Sequence, residues 1–131
     1  MVADLLKIIK ALGQENRLRI LNLLNQQKLC VCELQNIMDE NQSNISRHLN
    51  VLKNADIISS EKDALWIYYY LNQKTLEEYP FITDVLTKEL GKVDYCQPDS
   101  KRLKIYQASD LDCSDLKDSD VFEPLEKNKI N

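Results

Sequence analysis

The chain of 131 residues holds one histidine, two glycines and three prolines, and it has no long hydrophobic run. Each shortage excludes something. A lone histidine cannot build a multi-histidine metal site. Without a second histidine or a phosphate-binding glycine loop, the common catalytic constellations are missing, and the chain is not read as an enzyme. No stretch approaches the roughly 20 apolar residues needed to cross a bilayer. No basic, apolar signal-like segment opens the sequence, so a cytoplasmic protein with no membrane partner is expected. The net charge of −4 offers no overall attraction to a nucleic acid, although a local basic patch would serve.

What is present fits one modest core, with 44% hydrophobic residues. Four cysteines stand at Cys30, Cys32, Cys96 and Cys113. In a reducing compartment they are expected to be thiols or metal ligands rather than a disulfide framework. Cys30 and Cys32 lie in Leu29-Cys30-Val31-Cys32-Glu33-Leu34, where a helix begins. Glu33 follows Cys30 by three, and Leu34, Ile37 and Met38 keep helical spacing, so this is a capping box with a thiol in place of the hydroxyl. A thiol caps poorly; serine, threonine, aspartate or asparagine would stabilise the helix by about 1 kcal/mol more. The substitution therefore points to sulfur chemistry. The free N–H groups and dipole of a helix N-terminus favour thiolate, and two neighbouring thiolates chelate a thiophilic ion. The competing reading is two small buried hydrophobes.

The pattern divides the chain into a compact domain, residues 1–91, and a polar tail, residues 92–131, disordered towards its end. Leu5, Ile8, Ile9 and Leu12 mark a first helix ended by Gly13, and residues 15–24 a second. The helix led by the cysteines is the third. A fourth, Gln42 to Asn54, is capped by Asn41 and turns Ile45, Leu49 and Leu52 inward. Residues 57–60 and 65–71 form a hairpin, and a last helix begins near Pro80 and ends at Gly91. The tail's acidic run, Asp110 to Asp120, lacks the spacing of a calcium loop and reads as solvated charge.

Two helices joined by a short turn and followed by a hairpin make a mainly α fold with a small β-hairpin, a winged helix-turn-helix. A helix entering a major groove needs small or hydrogen-bonding side chains facing base edges and cations facing phosphates. Ser43, Asn44, Ser46, Arg47, His48 and Asn50 meet that need, joined by Gln42, Lys53 and, on the wing, Lys62.

These segments resemble the ArsR/SmtB-type winged-helix repressors. The likeness is carried by Arg17-Leu18-Arg19-Ile20-Leu21, by Gln42-Ser43-Asn44-Ile45-Ser46-Arg47-His48-Leu49 with Val51-Leu52-Lys53, and by Tyr68-Tyr69-Tyr70-Leu71. The cysteine segment is similar to the sensing motif of the arsenite-responsive branch. The resemblance implies a homodimer bound to double-stranded operator DNA, needing no cofactor to bind, and released when As(III) or Sb(III) joins three thiolates. The expected dimer surface is Leu5, Ile8 and Ile9 of the first helix with Ile82, Val85, Leu86 and Leu90 of the last.

Three positions depart from the family pattern. Gln35 stands where many arsenite sensors carry a third cysteine, so Cys96 is expected to supply that sulfur and Cys113 is not. The wing tip, Ser60 to Ala64, lacks the usual arginine and glycine. Asp56 replaces a small residue before the wing. Cadmium or lead is the rival inducer, but relatives sensing those ions draw cysteines from an N-terminal extension, and residues 1–29 contain none. A third reading keeps the fold and lets Cys30 and Cys32 respond by oxidation. A redox enzyme is disfavoured, since Cys-x-Cys is one residue shorter than the usual motif and no strand is expected before it.

Overall fold

The computed structural model describes residues 4–109. Helix α1 (Leu5–Leu12) starts at Asp4, whose carboxylate accepts from the Leu6 N–H at 2.9 Å. Helix α2 (Glu15–Leu24) follows, then a two-residue strand β1 (Leu29–Cys30) and helix α3 (Val31–Met38). Helix α4 (Gln42–Asn54) completes the helix-turn-helix, its first turn closed by Asn41 Oδ1 accepting from the Asn44 N–H at 2.8 Å. Strands β2 (Ile58–Asp63) and β3 (Trp66–Leu71) form the wing.

Strand β1 pairs antiparallel with β3, Leu29 opposite Tyr69 and Cys30 opposite Tyr68, so the sheet has three strands in the order β1-β3-β2. The expectation that no strand precedes the cysteines is corrected: two residues are too few for any periodic pattern to register, yet they tie the head of α3 to the wing. At the wing tip Asp63 faces Trp66, leaving a two-residue turn in which Ala64 has φ 57°. Glycine would be relaxed there.

After the wing come α5 (Gln73–Glu78) and α6 (Phe81–Asp84), the latter continuing through a wide turn, Val85–Glu89, and a tight one, Leu90–Lys92. Helix α7 (Gln97–Ser109) then packs along α2 and α3, with Pro98 in its first turn, where a missing N–H does no harm. It brings Cys96, Leu103 and Tyr106 into the same core as Ile20, Leu34, Ile45 and Leu52. Residues 97–109 are therefore part of the folded domain rather than a tail. Its pattern hid it because half of its buried contacts are polar: Asp99 and Arg102 are as buried as its apolar residues. The acidic run and Cys113 lie outside the described residues.

The expected dimer surface is also corrected in part. Ile8, Ile82, Leu86 and Leu90 are buried in the protomer's own core, because α7 and the irregular helix use that apolar surface internally. Val85 is half-buried, and Leu5, Leu6 and Ile9 of α1 remain exposed.

Candidate functional site

Helix α4 presents Gln42, Ser43, Arg47, Asn50 and Lys53 to solvent, with Asn44 and Ser46 half-buried beside them. Asn44 is tied down: its side-chain oxygen accepts from Arg47 at 3.2 Å and its amide donates to Glu40 at 3.4 Å. Lys53 donates to Ser60 Oγ at 2.8 Å, bridging helix to wing, and Lys62 is exposed on β2. These residues make a contiguous polar, partly cationic surface of the kind that reads a major groove.

His48 does not belong to it. The ring is 2% exposed, and Nδ1 lies 3.3 Å from an Arg17 guanidinium nitrogen. With the arginine always a donor, Nδ1 is the acceptor and the ring is neutral. Burial lowers its pKa, and Arg47 and Arg17 lower it further. The correction has a simple cause: His48 shares the inward spacing of Ile45, Leu49 and Leu52. Its role is to hold α4, through Arg17, against the carbonyls of Ala11 and Lys10 at the end of α1.

The departure at Asp56 now has a reason. The Ile57 N–H bonds Leu52 O at 3.1 Å, the Asp56 N–H bonds Lys53 O at 2.9 Å, and Asp56 has φ 62°. That is a Schellman ending, in which the left-handed position favours glycine and tolerates aspartate. Ile57 and Leu52, both fully buried, supply its hydrophobic contact.

The cysteines sit at the head of α3. Cys30 is the N-cap; its N–H donates to a Glu33 oxygen at 2.9 Å, while its sulfur faces the Glu33 N–H. The other Glu33 oxygen accepts from the Tyr106 hydroxyl of α7. The expectation of a thiolate is corrected: burial outweighs the helix N–H groups and raises the Cys30 thiol to about 11. Tyr106 is raised as well, by burial and then by Glu33. Cys32 is half-buried, its sulfur 3.6 Å from the Asn36 amide. It is disulfide-bonded, contrary to the expectation of thiols or metal ligands; such a sulfur has no thiolate charge to offer an ion until it is reduced.

A cavity of about 290 Å³ opens beside the two cysteines, lined also by Gln35, by Gln42 of α4, and by Trp66, Ile67 and Tyr69 of the wing. Sequence patterns missed the wing's share, since only the β1–β3 pairing brings it there. Cys96 is not brought to this site. It is a buried free thiol at the far end of α7, beside Asp99 and Arg19, raised to about 11 by burial. Ten residues of α7, about 1.5 Å each, separate it from Tyr106, which touches Glu33. No group of three histidine, cysteine or carboxylate side chains suited to a metal occurs among the described residues, and no described helix is long and apolar enough to cross a membrane.

Against known proteins, residues 14–60 match the family described as bacterial regulatory protein, arsR family. The chain is 35% identical over 101 residues to the arsenic resistance transcriptional regulator ArsR1 of Pseudomonas putida, covering 73% of this chain and 74% of that one. It is 41% identical over 63 residues to the cadmium resistance transcriptional regulatory protein CadC of Listeria innocua, covering 47% of this chain and 53% of that one, so it spans about half of that relative's length. Among solved structures, the transcriptional regulator HlyU of Vibrio vulnificus superposes with a TM-score of 0.51 at 30% identity, over 61% of this chain and 84% of that one.

Proposed function

Because the chain belongs to the arsR family of bacterial transcriptional regulators, we propose that it is a cytoplasmic, homodimeric repressor released from operator DNA when As(III) or Sb(III) binds Cys30 and Cys32. Regulators of this family are DNA-binding proteins, not enzymes. The observation that carries the proposal is the shared cavity: both cysteines, the first residue of α4 and the face of the wing border one space. An ion drawing the two sulfurs together takes Cys30 from its capping contact and displaces the first turn of α3. Gln42 and Trp66 line the same cavity, so a change in its shape reaches both reading elements. A coupling of about 1–3 kcal/mol suffices.

Two reduced sulfurs suit a thiophilic ion. Cys96 would have to leave its buried seat to complete a set of three, so we assign the third position to an exogenous thiol. The exposed Leu5, Leu6 and Ile9 of α1 support assigning the two-fold contact to that helix.

The test uses reduced protein bound to a duplex selected from random sequence, titrated with arsenite, antimonite and cadmium while DNA release is followed by fluorescence anisotropy. Arsenite and antimonite are expected to release it. Cys30→Ser and Cys32→Ser are expected to bind DNA normally and to ignore the ions. Normal release of either variant would overturn the sensing role. Two rival readings have specific support. Likeness to a cadmium regulator favours cadmium, which would then release DNA at lower concentration than arsenite. The disulfide at Cys32 favours a redox switch, in which reductant alone would change DNA affinity.

A further inference from the structure

Lys7 and Lys10 of α1, with Arg17, border an open depression of about 410 Å³ whose opposite wall includes Val51 and Asn54 of α4. At 100° per residue, Ile8 and Ala11 point to the core, Leu5 and Ile9 fall on one flank of α1 and the two lysines on the other, with Leu6 outermost between them. That second flank is the one beside α4. Asn54 prolongs the exposed stripe of Ser43, Arg47 and Asn50, so the lysines stand next to the surface assigned to the groove.

Charge pairing separates these lysines from others. In a chain of net charge −4, Lys28, Lys88 and Lys92 each meet a carboxylate, at 2.8, 3.3 and 3.1 Å. Among the described residues, no such ion pair is formed by Lys7 or Lys10, and both are exposed. Arg17 is engaged inward with Ala11, Lys10 and His48. The depression is open and holds point charges on flexible stems, which suits a solvated phosphodiester better than an enclosed small molecule.

We propose that Lys7 and Lys10 contact operator phosphates flanking the groove entered by α4, extending the DNA footprint onto α1. This rests on the DNA-binding reading above. The test is the salt dependence of duplex affinity for the unaltered 131-residue chain and for Lys7→Gln/Lys10→Gln, with Lys88→Gln/Lys92→Gln as a control that removes equal charge elsewhere. Each lost phosphate contact lowers the slope of log K against log salt by about 0.9, so about 1.8 per protomer is expected for the pair. The loss should be equal on operator and unrelated duplex, because phosphates carry no sequence. An unchanged slope, or an equal fall in the control, would overturn the proposal. A wild-type chain that binds no duplex would overturn the DNA-binding reading itself, and this inference with it.

Discussion

The two helices of the helix-turn-helix lean on the rest of the chain to different degrees. Helix α4 is closed by its neighbours in sequence, Asn41 at its start and the Asp56–Ile57 turn at its end. Helix α3 also has a local ending, with Asp39 at φ 54° and the Asp39 and Glu40 N–H groups both on the Gln35 carbonyl, but its later carbonyls are met by residues far away. Arg102 donates to the Ile37 and Asn36 carbonyls at 2.6 and 2.9 Å, and Arg19, held by Asp99 at 2.7 Å, donates to the Met38 carbonyl at 3.0 Å. These are the orphan acceptors of any helix C-terminus, met here by two cations on the negative end of the dipole. Its start has a local half, Cys30 with Glu33, and a distant half, Tyr106. The difference teaches that α4 is self-contained at its ends, whereas α3 depends on α7.

The strongest way to break this contrast is Arg102→Ala. It strips partners from buried carbonyls and should destabilise by about 3 kcal/mol, lowering the melting temperature by about 10 °C or more. An effect under about 1 kcal/mol would show that α3 does not need α7.

Acid and alkali should separate the helices next. Cys30 titrates near 9 when unfolded and at about 11 when folded, so the folded state holds the proton more tightly. Stability from this group is full below pH 9 and is lost as pH rises through 11. His48 behaves in the opposite sense. Its folded pKa lies below the ordinary histidine value of 6.5, so the unfolded chain takes up the proton first and stability falls as pH drops below about 6.5. Denaturant melts across pH should show both losses, with Cys30→Ser flattening the alkaline side and His48→Gln the acid side. Unaltered profiles in these variants would remove the assignments.

Asn41→Ala removes the local cap of α4 and should cost about 1 kcal/mol in denaturant melts. The smallest expected change is a gain. Asp56→Gly relaxes the left-handed ending of α4 and should stabilise by somewhat less than about 1 kcal/mol. A loss of stability there would mean that the aspartate carboxylate has a role beyond the turn.

The same contrast explains what sequence could reveal. Helix α4 and its cap were legible, as was the Cys30–Glu33 box, because each partner lies within four residues. The Schellman ending was not, since aspartate occupies the position where glycine would signal it. His48 was placed on the polar face by the company of Ser46, Arg47 and Asn50, although its spacing from Ile45 and Leu52 carried the correct signal. Arg102 and Tyr106 act across 65 and 73 residues, a distance at which no local pattern speaks. Burial of Cys30 depends on the β1–β3 pairing, and so the shift of its thiol away from the thiolate form was equally hidden.

Helix α7 also has a consequence for the order in which the molecule is made. A ribosome releases Asn54 about fifty residues before Tyr106, which at about 5–20 residues per second is a delay of a few seconds. During that interval α4 can already close on its own caps, while the carbonyls at the end of α3 still face water. The newborn chain thus completes the caps of α4 before those of α3.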